Sequence, residues 1–220
     1  MPQYCDPIVS IIDEFGFTFT NPDNVRSRLD YNRYIVDYPT LFPTSYLKEH
    51  LIVETAVYIK EYPCKRMLAS SLIYDYLERN GYTEMIEQYG LQPFALNVQS
   101  AERTLIDKVF ALGDYYLSDA IYEHSRHVYD IYKLLGVVTL NDSMKQLVQS
   151  VREERMPHVN CRSAKDGIDM NALLQEILDK AVYRQDYEDI TAKILFEEVL
   201  YEIAANALRQ IIDSGIFSIA

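Results

Sequence analysis

Three residues in this sequence have side chains that could do chemistry and sit where plain packing would not put them. Lys108 lies in "SAERTLIDKVFAL", a stretch with helical periodicity. On a wheel of about 100° per residue, Leu105, Leu112 and Ala101 share one side, and Lys108 leaves on that side between Thr104 and Ala111. A buried ammonium is costly unless an anion meets it. A phosphate would be such an anion; the plain alternative is a lysine that lays its stem over the core edge and keeps its charge in water. Asp130, in "SRHVYDIYKLL", sits beside an apolar stripe of Val128, Ile131, Leu134 and Leu135. Its default partner is Arg126 four residues earlier, in a solvated ion pair. Glu54 interrupts "HLIVETAVYI", where alternation groups it with Ile52, Ala56 and Tyr58 against Val53, Thr55 and Val57. A carboxylate inside such a strand needs a cation, a metal or a hydrogen-bond donor, unless the strand is an edge open to water. Arg103 and Asp107 fall on the wheel face opposite Lys108 and read as a solvated i,i+4 pair.

The elements that must carry these residues follow from periodicity and punctuation. Ile8, Ile11, Ile12 and Phe15 predict a short helix over 3–15. "TNPDN" is turn chemistry. Strands are expected at about 31–38, ended by Pro39 and Pro43, and through "HLIVETAVYIKEYP", ended by Pro63. Leu68, Leu72, Ile73, Tyr76 and Leu77 predict a helix over 66–79 that Gly81 can cap. "FALNVQS" predicts a further strand. From Ser100 the pattern is helical. Ser100 N-caps a helix to about Leu112, a second helix ends at Gly136, and a third begins near Asn141 to Ser143. Residues 156–169 form a loop in which Asp169 is an N-cap. A long helical tail is built on Leu173, Leu174, Ile177 and Leu178, then on Leu195, Val199, Ile203 and Ala207.

The expected class is α+β: a reduced mixed sheet over 1–98, packed on a larger helical domain over 99–220. A chain of 220 residues can bury a substantial core, and its 49% hydrophobic content argues against wholesale disorder. Its 19 tyrosines and no tryptophan suit half-buried surfaces between packed helices. The formal charge of −12, with no basic run, excludes generic DNA coating, because non-specific binding needs a basic stripe to displace counterions. Cys5, Cys64 and Cys161 are isolated and odd in number, which signals neither a zinc site nor a disulfide framework. No apolar run approaches the roughly 20 residues of a membrane span, and the first residues do not form a signal peptide, so a cytoplasmic protein is expected. His124 and His127 share a helix but lack a third ligand at metal spacing. No P-loop, dinucleotide fingerprint or nucleophile elbow is present.

The order "IVETAVYIKEYP", "VQSAERTLIDKVFAL", "SRHVYDIYKLL" resembles the later motifs of the AbiEii/AbiGii family of bacterial nucleotidyltransferase-like toxins. Those motifs are a strand of the type "hxhE" followed by a proline, an "ERTLxEK" helix and an "RHxxDL" helix. The segment "RQDYEDITAKILFEEVLYEIAANAL" is similar to the family's closing helices, so the resemblance spans about 30–215. It implies a nucleotidyltransferase fold with a helical C-terminal domain, in a toxin–antitoxin or abortive-infection pair. It further implies transfer of a nucleoside monophosphate from an NTP to an acceptor such as tRNA, with Mg²⁺, and a cognate antitoxin as partner. Lys108 and Asp130 occupy the family's catalytic lysine and aspartate positions, Lys108, Arg126 and His127 would face the nucleotide, and Glu54 would lie near the metal. The family's motifs also include a "GGTxLxK"-like turn and a "DxD" acidic pair, which cradle phosphates and hold Mg²⁺. Here Gly16 stands alone in "EFGFTF" and no DxD occurs; the "DGID" at 166–169 is the expected loop and N-cap. The expectation is therefore a truncated homologue, one half of a split gene, or a non-catalytic remnant that acts as a binding module.

Overall fold

A computed structural model describes residues 7–24, 31–38, 49–56 and 64–218. Cys5, Pro39, Pro43, Val57, Tyr58 and Pro63 lie outside the described residues. The chain divides into two compact units, Met1–Tyr62 and Pro63–Ala220.

In the first unit, helix α1 (Pro7–Glu14) precedes the short strand β1 (Thr18–Phe19), a 3₁₀ turn at Pro22–Asn24, and strands β2 (Tyr31–Asp37) and β3 (His50–Ala56). The three strands form an antiparallel sheet in the order β1-β2-β3, with Arg33 directly opposite Glu54. Alternation in β2 buries Asn32, Tyr34 and Val36. Tyr34 and Val36 form a small core with Ile12, against which Ile8, Val9 and Phe19 pack.

The second unit begins with strand β4 (Cys64–Ala69), followed by helices α2 (Leu72–Arg79) and α3 (Thr83–Gln88) and strand β5 (Phe94–Gln99). β4 and β5 pair antiparallel, so all the described strand pairings are antiparallel, in two separate sheets rather than one mixed sheet. The α+β class expected from the sequence holds. The helix predicted over 66–79 divides differently: its first four residues are strand, and the helix starts only after Ser71, whose Oγ accepts the Tyr74 N–H at 3.0 Å. Leu68 faces outward on β4 rather than joining the helix's apolar side. The same short apolar spacing serves either period, and pairing with β5 decided it. α3 occupies 83–88, where the pattern predicts no element.

The remaining helices are α4 (Ala101–Leu117), α5 (Arg126–Leu135), α6 (Asp142–Arg155), α7 (Met170–Asp179), α8 (Arg184–Asp186), α9 (Ala192–Ile194) and α10 (Tyr201–Ser214). A 3₁₀ turn spans Arg162–Ala164 and a π turn spans Tyr187–Thr191. The caps expected at Ser100 and Asp169 are made, and Asn141, where the third helix was expected to begin, caps it as well: each side chain accepts a backbone N–H from the first turn it precedes. α4 is the central helix. It packs on α5, α6, α7 and the 3₁₀ turn, and none of its residues is exposed. It runs five residues past the expected end, through Gly113, where an added Cβ would meet Ser163 Cβ at 2.8 Å and Leu173 Cδ2 at 2.9 Å. The glycine is there for close approach, not for a turn. The tail is less regular than its apolar spacing predicts. Leu195 is extended and residues 195–200 are not helical, yet Val199 is buried and its carbonyl accepts the Tyr187 hydroxyl at 3.0 Å. Apolar spacing there reports burial, not backbone.

Candidate functional site

Helices α4 and α5 lie side by side, and the contact brings three of the singled-out side chains together. The Lys108 ammonium stands 2.8 Å from Asp130 Oδ2 and 3.2 Å from His127 Nδ1. Lysine has only donors, so Nδ1 accepts, and the neutral imidazole carries its proton on Nε2. His127 Nδ1 and Asp130 Oδ2 are 3.5 Å apart, too far for a hydrogen bond between them, so the ammonium bridges the two. Two of its three N–H groups are thereby used. The third has no partner among the described residues, and the side chain keeps 30% of its exposure against 35% for Asp130.

The surroundings tune these groups consistently. Burial pushes the His127 imidazole below its ordinary value; the Lys108 and Arg126 charges act in the same direction and Asp130 opposes them. Burial alone would raise the Asp130 carboxyl, but the Lys108 ammonium 2.8 Å away outweighs it and holds the acid below the usual carboxylate value. His124, whose ring stacks on Tyr115 with centroids 3.5 Å apart, is also pushed down, first by burial, with the Arg126 charge acting in the same direction. The Tyr115, His124 and His127 rings lie parallel to within 8°. Arg126 does not pair with Asp130. It is exposed and makes no ion pair among the described residues, while the aspartate turns to Lys108. The solvated Arg126–Asp130 pair is therefore corrected: on α5 the aspartate lies closer to a cation on the neighbouring helix than to one on its own.

The other face of α4 also departs from expectation. Arg103 is not solvated. It is 2% exposed and bonds Asp107 Oδ2 at 3.0 Å and Glu154 Oε2 at 2.8 Å. Arg155 then reaches Asp107 Oδ1 at 3.3 Å and Asp114 Oδ2 at 2.7 Å. Asp114 Oδ1 in turn takes the Ser163 N–H at 2.7 Å. This network ties α4 to α6 and to the 3₁₀ turn, and so fixes the helix that carries Lys108. Sequence reasoning missed it because the wheel shows which residues share a face, not whether another helix covers that face.

Glu54 belongs to the first unit. Its Oε1 accepts the Tyr31 hydroxyl at 2.7 Å and lies 4.0 Å from Arg33 Nε, and its side chain is 55% exposed. Both partners come from the neighbouring strand β2, which satisfies the requirement for a donor or cation. Among the described residues no three His, Cys, Asp or Glu side chains converge as a metal site would need. The described partners of Glu54 are a phenol and a guanidinium.

No helix of the described residues is long and apolar enough to cross a membrane. No curated protein and no solved structure matches the chain. The family model described as "Nucleotidyl transferase AbiEii toxin, Type IV TA system" matches residues 1–213. With the strand glutamate, the lysine helix and the aspartate helix in the order of that family, and the last two in contact across α4 and α5, this chain belongs to the AbiEii nucleotidyltransferase toxin family.

Proposed function

We propose that the chain works as the toxin of a toxin–antitoxin pair by engaging the phosphates of a nucleoside triphosphate at Lys108 and passing the nucleoside monophosphate to an acceptor. The observation that carries this reading is the Lys108 ammonium, held from one side by Asp130 and His127 with one N–H left over. Two fixed partners restrict the lysine to one geometry, and the remaining donor can meet a phosphate oxygen in a charge-assisted bond. Arg126, exposed one residue before His127, adds a second cation for the same anion. In the transfer, the acceptor hydroxyl oxygen bonds the α-phosphorus and gives up its proton to solvent, the bond from that phosphorus to the bridging oxygen breaks, and pyrophosphate leaves. Lys108 and Arg126 oppose the charge on the phosphates, and Asp130 orients Lys108. Mg²⁺ bound with the nucleotide would supply counter-charge to its phosphates. An RNA such as tRNA is the acceptor class, and the antitoxin is the second partner.

The alternative reading is a non-catalytic nucleotide-binding module. The engagement of Glu54 by Tyr31 and Arg33, with no converging carboxylates among the described residues, favours it. A thermal-shift titration with Mg·NTPs tests binding, since a ligand that prefers the folded state raises its stability. Incubation with labelled NTP and tRNA separates the two readings. A shift abolished by Lys108→Ala together with label on the RNA supports the toxin enzyme, and a shift without label supports the module. No shift, with Lys108→Ala matching the parent, ends both.

A further inference from the structure

The start of α5, which carries Arg126 and His127, is held from outside. Ser125 precedes the helix but its hydroxyl caps nothing; it lies 2.8 Å from Thr191 Oγ1 instead. The capping work falls to Asp186, the last residue of α8, 61 positions along the chain from Ser125. Its Oδ1 accepts the Glu123 N–H at 2.8 Å and its Oδ2 accepts the Ser125 N–H at 2.9 Å. Asp186 is only 8% exposed, a burial that a carboxylate tolerates when donors surround it.

Two local features show that this contact is specified rather than incidental. Glu123 has φ 65, in the left-handed region that a residue with a Cβ rarely adopts. Such a turn persists where its surroundings over-determine it, and the bond to Asp186 does so. Thr191 ends the π turn that follows α8. A π turn takes one more residue than an α turn, and continuing as α-helix would rotate Thr191 by about 100° away from Ser125. The hydroxyl pair and the carboxylate thus grip the same turn from one segment.

We propose that Asp186 is a positioning residue for the Lys108–His127–Asp130 cluster. By fixing the turn at 123–125 it sets the first turn of α5, and with it the place at which His127 Nδ1 receives the Lys108 ammonium. Thr191 seconds it through Ser125. The nucleotide arm of the test below rests on the proposed function; the histidine arm does not.

The experiment compares the parent chain with Asp186→Asn and Thr191→Val, with ¹⁵N-histidine spectra to read the His127 ring and Mg·ATP thermal-shift titrations to read the site. Facing His127 are Lys108 and Tyr115 from α4 and Arg126, His124 and Asp130 from α5 and the turn before it, so these groups surround it as it titrates. In folded Asp186→Asn, His127 is expected to lose its single Nε2–H tautomer signature and titrate nearer an ordinary imidazole. The Mg·ATP concentration for half-maximal stabilisation is expected to rise about tenfold, the scale of one lost charge-assisted bond. Thr191→Val should move both readouts the same way by less. Folded variants whose His127 spectra and nucleotide response match the parent would overturn the proposal and leave Asp186 as a fold-stabilising cap. If Asp186→Asn does not fold, Thr191→Val, which keeps the carboxylate, decides by the same two readouts. If the parent itself ignores Mg·ATP, the proposed function fails while the His127 spectra still decide the role of Asp186.

Discussion

The two faces of α4 each carry a cation, and they use it in opposite ways. Arg103 is almost fully buried and bonds two carboxylates, Asp107 and Glu154, that are themselves partly covered. Lys108, about one and a half turns along, is held by one carboxylate and one neutral ring, with a donor to spare and a third of its surface open. The first arrangement is closed: every strong partner is protein, and a ligand could enter only by breaking it. The second is restrained but incomplete. That difference separates a cation that builds the fold from one available to an anion, and burial alone does not show it.

The comparison can be broken from either side. Arg103→Ala should destabilise most, by about 3 kcal/mol, because it leaves Asp107 and Glu154 without their main partner in a largely dry contact. A urea titration would show this as a lowered midpoint, and a change within error would mean that the network is solvated after all. Gly113→Ala tests whether the same helix is pressed against its neighbours. With Ser163 and Leu173 under 3 Å from the added methyl, a cost of about 1–3 kcal/mol is expected in the same assay.

A smaller effect should appear with pH. His127 in the folded chain lies below its ordinary value of 6.5, mainly through burial, so the unfolded chain binds its proton first. Its contribution to stability is full above that value and is lost as pH falls from about 6.5 toward the depressed one. Asp130, held below 3.8, loses its contribution in a separate and more acidic window. Unfolding midpoints between pH 7.5 and 5 should therefore fall more steeply for the parent than for His127→Gln. Equal slopes would mean that the ring is not held neutral. The smallest effect on stability belongs to Lys108→Ala, within about 1 kcal/mol because about a third of each side chain is open to water. The same variant should lose the response to Mg·NTP. A large stability loss with binding retained would reverse the roles assigned to the two faces.

Much of the site was legible in the sequence because helical geometry is local. The wheel places Lys108 on the side that meets α5, and the spacing of "RHVYD" puts His127 and Asp130 one turn apart on α5. The caps at Ser100, Asn141 and Asp169 follow from side chains that bond backbone two or three residues away, so they too need no tertiary knowledge. Arg103 was misread because solvation depends on whether α6 covers it, and Asp186 was invisible because its partners lie more than 60 residues away. A signal for Asp186 did exist, an acid inside a stretch of the tail with helical periodicity, but its meaning depends on a turn it does not adjoin.

The sequence by itself determined the α+β class and the helix starts at Ser100 and Asp169, because these depend on residue type and short-range spacing, and the order of its motifs carried the family resemblance. Tertiary structure alone decided that β4 is a strand, that Gly113 marks a close helix contact, and that Asp130 chooses Lys108 over Arg126. Each of those choices is a competition between a near partner and a far one. Near spacing can state that competition, but only the packed chain, with water excluded and distances fixed, can settle it.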